Sequence, residues 1–273
     1  MKKYELTAEF IEQWGKKLFR IKALISFGSV EAGELGGYVE KEDNLAQDGD
    51  AWVCDDARVY GDAKVYGNAE VYDDARVYGD ARVYGDAKVC GDAWVCDDAW
   101  VYGDAKVCGD AWVYGNAEVY GDARVCGNAR VYGDAKVYGN AEVCGDAWVY
   151  GNAEVYGNAR VCGNAKVYGN ARVYGDARVC GNARVCGNAD YLLIGRIGSR
   201  FSFTTFFKNK DKGITVSCGC FLGTIAEFRA KVTDTHGNNK HAKMYNLAAD
   251  MAELQILGEE HFDKLNTNKS EPF

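Results

Sequence analysis

A six-residue repeat runs without insertion from Ala51 to Ala189, and it constrains this chain more than any other feature. Each unit reads Ala, a variable residue, Val, Tyr or Cys, Gly or Asp, and then Asp or Asn. Ala and Val alternate with the variable residue, which is the period of a β-strand, whereas a six-residue period would spread Val around a helix. Gly, Asn and Asp tolerate the left-handed backbone of a tight corner. Each hexad therefore predicts one short strand and one corner.

A second period of 18 residues indicates that three hexads close one coil. Cysteine replaces tyrosine every 18 residues at Cys90, Cys108, Cys126, Cys144, Cys162 and Cys180. Residues 18 apart then lie directly above one another, and about 23 hexads give seven to eight coils. At about 4.8 Å per stacked strand, the rod is about 37 Å long. The predicted fold is an all-β solenoid, a three-sided parallel β-helix over residues 51–190 with Val and Ala inside.

Composition narrows the functional classes. The net charge of −8 argues against nucleic-acid binding, and no stretch approaches the 18 apolar residues of a membrane span. Glu5 and Glu9 lie where a signal peptide needs an apolar run. We therefore expect a cytoplasmic protein, and we interpret its 11 cysteines as free thiols in a reducing compartment.

The segments outside the repeat predict two flanking domains. Residues 1–50 are interpreted as an N-terminal β cap, with two strands followed by an irregular first coil. Residues 191–273 predict a C-terminal α+β module with strands at YLLIGRIG, FSFTTFF and ITVSCGCF. Thr224 and Glu227 form the capping box of a first helix, and a second helix is predicted over residues 239–257.

The repeat also resembles a known group of proteins. The run VYGDARVYGDAKV is similar to the hexapeptide-repeat proteins, a superfamily that includes many acyltransferases. The flanking GELGGYVEKEDNLAQDGDAWV and GRIGSR segments resemble bacterial and phage hexapeptide-repeat proteins of the YdcK-like group. This resemblance implies a left-handed β-helix and side-by-side packing of rods into trimers. It implies no particular reaction.

One side of the predicted prism carries Arg, Trp and Tyr at its outward positions, and its variable column has no acid. Such residues are enriched at binding hot spots. One interpretation is an interface of a homo-oligomer or with a protein partner, and a second is a ladder of stacked rings that only stabilises the strands. A third is stacking of a carbohydrate on the rings. The candidate interface residues are Trp94, Trp112, Trp148, Arg130, Tyr114 and Tyr132.

The C-terminal module contains two candidate sites. Glycine-flanked arginines followed by hydroxyls and lysines are suited to a phosphate or carboxylate, although a solvated basic hairpin explains them too. The candidate anion-binding residues are Arg196, Ser199, Arg200, Thr204, Thr205 and Lys208. Two cysteines and two histidines have the chemistry of zinc ligands, although their spacing is uncommon and ordinary thiols explain it as well. These candidate metal ligands are Cys218, Cys220, His236 and His241.

The sequence is compatible with three functions. The resemblance implies that an acyltransferase would use a histidine base and a loop that projects from a coil. Here His236, His241 and His261 all lie outside the repeat, and the repeat has no insertion. We therefore predict a non-catalytic scaffold and binding protein, a homo-oligomer that needs no cofactor and takes an anionic small molecule or a protein partner. The alternatives are an acyltransferase-like enzyme and a phage-encoded protein that sequesters a ligand.

Overall fold

The structure, a computed structural model, describes residues 2–260. It begins with an antiparallel hairpin of two strands, β1 (Tyr4–Gln13) and β2 (Lys16–Ala23), and β2 pairs with β3 (Leu35–Val39). β3 pairs in parallel with the first coil, and a 3-10 turn (Glu42–Asn44) completes this cap. Parallel pairing lets the cap satisfy the backbone groups of the first strands.

Each hexad of the repeat forms one short strand, as the alternation of Ala and Val predicts. The next 23 strands, β4 to β26 in chain order, are Trp52–Val53, Arg58–Val59, Lys64–Val65, Glu70–Val71, Arg76–Val77, Arg82–Val83, Lys88–Val89, Trp94–Val95, Trp100–Tyr102, Lys106–Val107, Trp112–Gly115, Glu118–Tyr120, Arg124–Val125, Arg130–Gly133, Lys136–Val137, Glu142–Val143, Trp148–Gly151, Glu154–Val155, Arg160–Val161, Lys166–Val167, Arg172–Val173, Arg178–Val179 and Arg184–Val185.

These strands form three parallel sheets, one for each side of the prism. The cysteine face contains β4, β7, β10, β13, β16, β19, β22 and β25. The tryptophan face contains β5, β8, β11, β14, β17, β20, β23 and β26, and the tyrosine face contains β6, β9, β12, β15, β18, β21 and β24. Val107 pairs with Val125, 18 residues further on. The predicted three-sided solenoid with 18 residues per coil is therefore confirmed.

The interior of the solenoid consists of stacked valine and alanine. The repeat valines from Val53 to Val185 are at most 1% exposed, and the alanines from Ala51 to Ala183 are fully buried. Each buried valine contributes about 1.5–3 kcal/mol compared with an exposed one. Ala189, the last alanine of the sequence repeat, is exposed in a 3-10 turn (Asn188–Asp190), so the regular core ends at Val185.

The coil corners require a left-handed backbone. Gly109 has φ +69°, and a Cβ added there would lie 3.1 Å from the amide nitrogen of Gly127 in the next coil. Asp73 takes the same corner position with φ +59°. Its carboxylate accepts a hydrogen bond from the Gly91 amide at 2.9 Å. Aspartate can thus replace glycine at a corner because its side chain binds the coil beyond it.

The C-terminal module closes the far end of the rod. Its sheet runs in the order β27 (Tyr191–Ile197), β28 (Ser202–Lys208), β29 (Ile214–Cys218) and β30 (Phe221–Thr224), all antiparallel. The helices α1 (Ile225–His236) and α2 (Lys240–Leu257) pack against this sheet. Phe207 of β28 is fully buried in the core of the solenoid. The module is therefore continuous with the rod.

The details of this module correct one prediction. ITVSCGCF, predicted as one strand, forms two, because Gly219 with φ +59° turns the chain between β29 and β30. The capping box is present, with Thr224 Oγ1 accepting from the Glu227 amide at 3.3 Å. Residues 261–273, which the sequence prediction included in this module together with His261, lie outside the described residues.

Candidate functional site

Asp190 fixes the module on the last coil. One oxygen of its carboxylate accepts from the Cys186 amide at 2.9 Å, and the other accepts from Lys208 Nζ at 3.1 Å. Beside it, Thr205 Oγ1 of β28 accepts from the Arg178 amide of β25 at 3.0 Å. Side chains of the module thus take over the hydrogen bonds that a further coil would make.

A cleft of about 360 Å³ opens where the module meets the cysteine face. Arg160 and Arg178 line it from adjacent coils, where they stand in register one above the other, and Arg196 lines it from β27. Ser202 adds a hydroxyl, and Asp176 places one carboxylate in the lining. The cleft thus combines guanidinium and hydroxyl donors from two parts of the fold.

Two of the three arginines of this cleft are free to bind a ligand. Arg160 Nε forms an ion pair with Glu142 at 2.9 Å. Within residues 2–260, Arg178 and Arg196 have no carboxylate partner, and both are exposed. Unpaired guanidinium groups favour an anion with two acceptor oxygens, because their donors form a rigid fork.

The structure divides the six predicted anion-binding residues among different places. Arg196 and Thr205 line the cleft at the junction, whereas Lys208 is held by Asp190. Thr204 is fully buried and donates to Cys218 Sγ at 3.2 Å. Neighbouring residues of a strand point to opposite faces of its sheet. The six therefore do not converge on one site.

The remaining two, Ser199 and Arg200, line a second cleft of about 370 Å³ within the module. His236 and Tyr245 lie in the same cleft, with their ring centroids 5.7 Å apart. Burial, together with the nearby Cys218, raises the pKa of Tyr245 to about 12. The phenol is therefore neutral at physiological pH and acts as a hydrogen-bond donor or acceptor rather than as a base.

The four predicted metal ligands do not form a metal centre in the structure. The rings of His236 and His241 lie 5.8 Å apart. Cys218 accepts from Thr204, and Cys220 is exposed in the turn after β29. Among residues 2–260, no three His, Cys, Asp or Glu side chains form a group that could hold a metal ion. Zinc would require such a set.

The predicted interface residues form a stacked column on the tryptophan face. Trp94 and Trp112 lie 4.7 Å apart, and the Arg130 guanidinium lies 5.2 Å from the rings of both Trp112 and Trp148. Tyr114 and Tyr132, next to them, stack at 4.8 Å. These rings and charges stabilise one another across coils. These contacts agree with the interpretation of the rings as a ladder that stabilises the strands. The interface stays a prediction.

The sequence prediction did not include two further surfaces. Trp14, at the tip of the β1–β2 hairpin, lies on the tryptophan face with its ring centroid 6.3 Å from that of Trp94. On α2, four apolar side chains recur at intervals of three and four residues and are 40–63% exposed. The α2 stripe consists of Met244, Leu247, Met251 and Leu254. Its spacing is a signal that the sequence already contained.

A stack of three-stranded coils with a capped end defines the class of this molecule, a β-solenoid repeat protein. Three segments, residues 75–91, 123–139 and 165–181, match the family model described as the YdcK beta solenoid repeat. Each segment is nearly one coil long, so the resemblance to YdcK-like repeat proteins is confirmed for the solenoid. No curated protein matches the chain. None of the helices within residues 2–260 is long and apolar enough to cross a membrane.

Proposed function

We propose that this chain is a non-catalytic scaffold and binding protein, whose solenoid presents an anion-binding cleft at its C-terminal end. The observation that carries this proposal is the meeting of Arg160, Arg178 and Arg196 in one cleft. The ligand class is a small molecule or protein group with a phosphate or a carboxylate. Such a ligand would accept hydrogen bonds from two guanidinium groups at once.

The rigidity of the rod supports this proposal. The Arg178 backbone is held by β25 and by the hydroxyl of Thr205, and the valine core below it is closed to water. A site that is already ordered loses less conformational entropy when the ligand binds. Within the described chain neither Arg178 nor Arg196 forms an ion pair, and the Asp176 carboxylate in the lining accepts a hydrogen bond from Asn158 at 3.1 Å.

The position of the histidines favours this function over acyl transfer. His236 lies in the cleft of the module rather than in the arginine-lined cleft. The coils between Trp52 and Val185 follow one another without a projecting loop. An acyltransferase needs a base within hydrogen-bond reach of the acceptor group. The alternative of a phage-encoded protein that sequesters a ligand would use the same cleft.

Titration calorimetry with inorganic phosphate, ATP and acetyl-CoA tests the proposal. We expect at least one of these to bind the wild type and Arg124→Ala with the same affinity. Arg124 is the matched control because it lies on the same face, three coils from Arg178. Arg178→Ala and Arg196→Ala should each weaken binding at least tenfold, about 1.4 kcal/mol.

If Arg196→Ala binds the ligand with the affinity of the wild type, the proposed site between the module and the cysteine face is wrong. If the wild type breaks down acetyl-CoA and His236→Ala does not, the result would instead support the acyltransferase-like enzyme.

A further inference from the structure

Six thiols form an uninterrupted row along the cysteine face. Each is a free cysteine of intermediate burial, and each lies one coil from the next. Backbone bonds between the coils fix the register, as in the bond from the Cys108 amide to the Val125 carbonyl at 2.9 Å. The thiol row consists of Cys90, Cys108, Cys126, Cys144, Cys162 and Cys180.

Neighbouring thiols of the row stand one above the other. Parallel pairing of β10, β13, β16, β19, β22 and β25 in consistent register places the six side chains in one column on the same side of the prism. Each thiol therefore has another thiol of the row one coil away.

The spacing of the coils matches a two-coordinate metal. On the tyrosine face, stacked rings measure the coil step directly, with Tyr102 and Tyr120 at 4.8 Å and Tyr120 and Tyr138 at 4.9 Å. Two metal–sulfur bonds of about 2.3 Å each, placed in line, span about 4.6 Å. A thiol two coils away is about 9.6 Å distant, too far to join the same ion. The row therefore offers pairs, in agreement with the finding that no three ligands converge within residues 2–260.

Positive side chains flank most of the row. The neighbouring outward column holds Lys88, Lys106, Arg124, Arg160 and Arg178, and Glu142 is its one acid beside these six coils. Thiolates are the form that binds metals, and nearby cations stabilise them.

We propose that adjacent thiols of this row bind soft, two-coordinate cations such as Cu(I) or Ag(I), with one ion bridging two neighbouring coils. Two thiols each release a proton, two metal–sulfur bonds form, and the oxidation state of the metal does not change. The product is an anionic bis-thiolate complex beside the basic column. Thiolates select such soft ions over Mg²⁺ or Ca²⁺. Six thiols in pairs provide three sites.

The test is an anaerobic titration of the reduced full chain with Ag(I), in competition with glutathione and followed by native mass spectrometry. The alternating variant, Cys108→Ser with Cys144→Ser and Cys180→Ser, leaves no two adjacent thiols in the row. The control variant, Cys54→Ser with Cys186→Ser and Cys220→Ser, leaves the row intact. Both retain 8 of the 11 cysteines, so unspecific binding to thiols is equal in both.

We expect three tightly bound Ag(I) ions in the wild type and in the control variant, and none in the alternating variant. X-ray absorption of the wild type should show two sulfur neighbours for each ion. Equal binding by the two variants would overturn the proposal, and so would three or more sulfur neighbours. Circular dichroism checks the fold of each variant. A second alternating variant with tyrosine at the same three positions repeats the test, because Tyr72 already occupies such a position.

Discussion

At the scale of single residues, Asp190 shows how one carboxylate joins the two parts of the molecule. Its side chain is 11% exposed and bonds to residues of both the solenoid end and β28. Burial opposes the charge of this carboxyl group, but bonds from Cys186 and Lys208 outweigh it and lower its pKa. The charged form is therefore part of the folded structure.

We predict that Asp190→Asn lowers the free energy of unfolding of the module by about 2 kcal/mol at pH 7, because the amide leaves Lys208 without its charged partner. The folded pKa lies below the unfolded value of about 3.9, so the stabilisation is complete above that pH. It is lost as the pH falls through the folded pKa. Thermal unfolding at pH 7 and at pH 3 measures the difference in stability between the wild type and Asp190→Asn. This difference should be smaller at pH 3.

Asp122→Asn is the matched control for this prediction. Asp122 is an exposed corner residue, and Asn occupies the same corner in other coils, as in Asn128. An equal loss of stability in the two variants would show that Asp190 has no special role at the junction.

At the scale of elements, the β1–β2 hairpin joins the cap to the side of the rod. Trp14 has φ +48° at the tip, and its ring lies 5.8 Å from that of Tyr60 and 5.7 Å from that of Tyr78. Arg58 donates to the side chain of Gln13 at 2.9 Å. The hairpin therefore covers the first coils of the tryptophan face in addition to capping the end.

We predict that Trp14→Asn releases the tip of the hairpin from the rod, with a loss of about 1 kcal/mol from the aromatic contacts. Asn tolerates the left-handed backbone, so the change removes the ring without straining the turn. Hydrogen exchange of the amides of residues 12–17 should become faster. Trp100→Asn, on the tyrosine face, should leave these amides unchanged, and faster exchange in both variants would contradict the contact.

At the scale of the whole molecule, the homo-oligomer expected from the sequence has two candidate interfaces, the α2 stripe and the tryptophan face. The four side chains of the stripe follow the three-and-four spacing of a coiled-coil seam, whereas the rings of the tryptophan face already contact one another. The expected homo-oligomer stays a prediction, and the α2 stripe is the interface to test first. The tryptophan face remains the alternative interface.

Light scattering of the purified protein tests this assembly. We predict a multimer for the wild type and for Lys240→Glu, an exposed position of α2 outside the stripe. Leu247→Glu should give a monomer, because a buried unpaired charge opposes association. If Trp112→Glu is a monomer while Leu247→Glu stays a multimer, the interface lies on the tryptophan face. If the mass of both variants is unchanged, neither surface is the interface.

The sequence by itself determined the solenoid. In a repeat, each residue has the same neighbours one period away, so the pairing of Val107 with Val125 follows from spacing alone. The thiol row and the stacked rings follow from the same rule. The capping box at Thr224 could also be predicted, because its signal is local.

Only the tertiary structure decided which unlike segments meet. Arg196 joins Arg178 in one cleft, and Trp14 lies on the rod, through contacts between a repeat and segments that do not share its period. The six predicted anion-binding residues were close in sequence, yet alternation along β28 directs Thr204 toward Cys218 and Thr205 toward the last coils, and Asp190 holds Lys208. Periodicity specifies contacts between equivalent residues, whereas contacts between different segments depend on how whole elements pack.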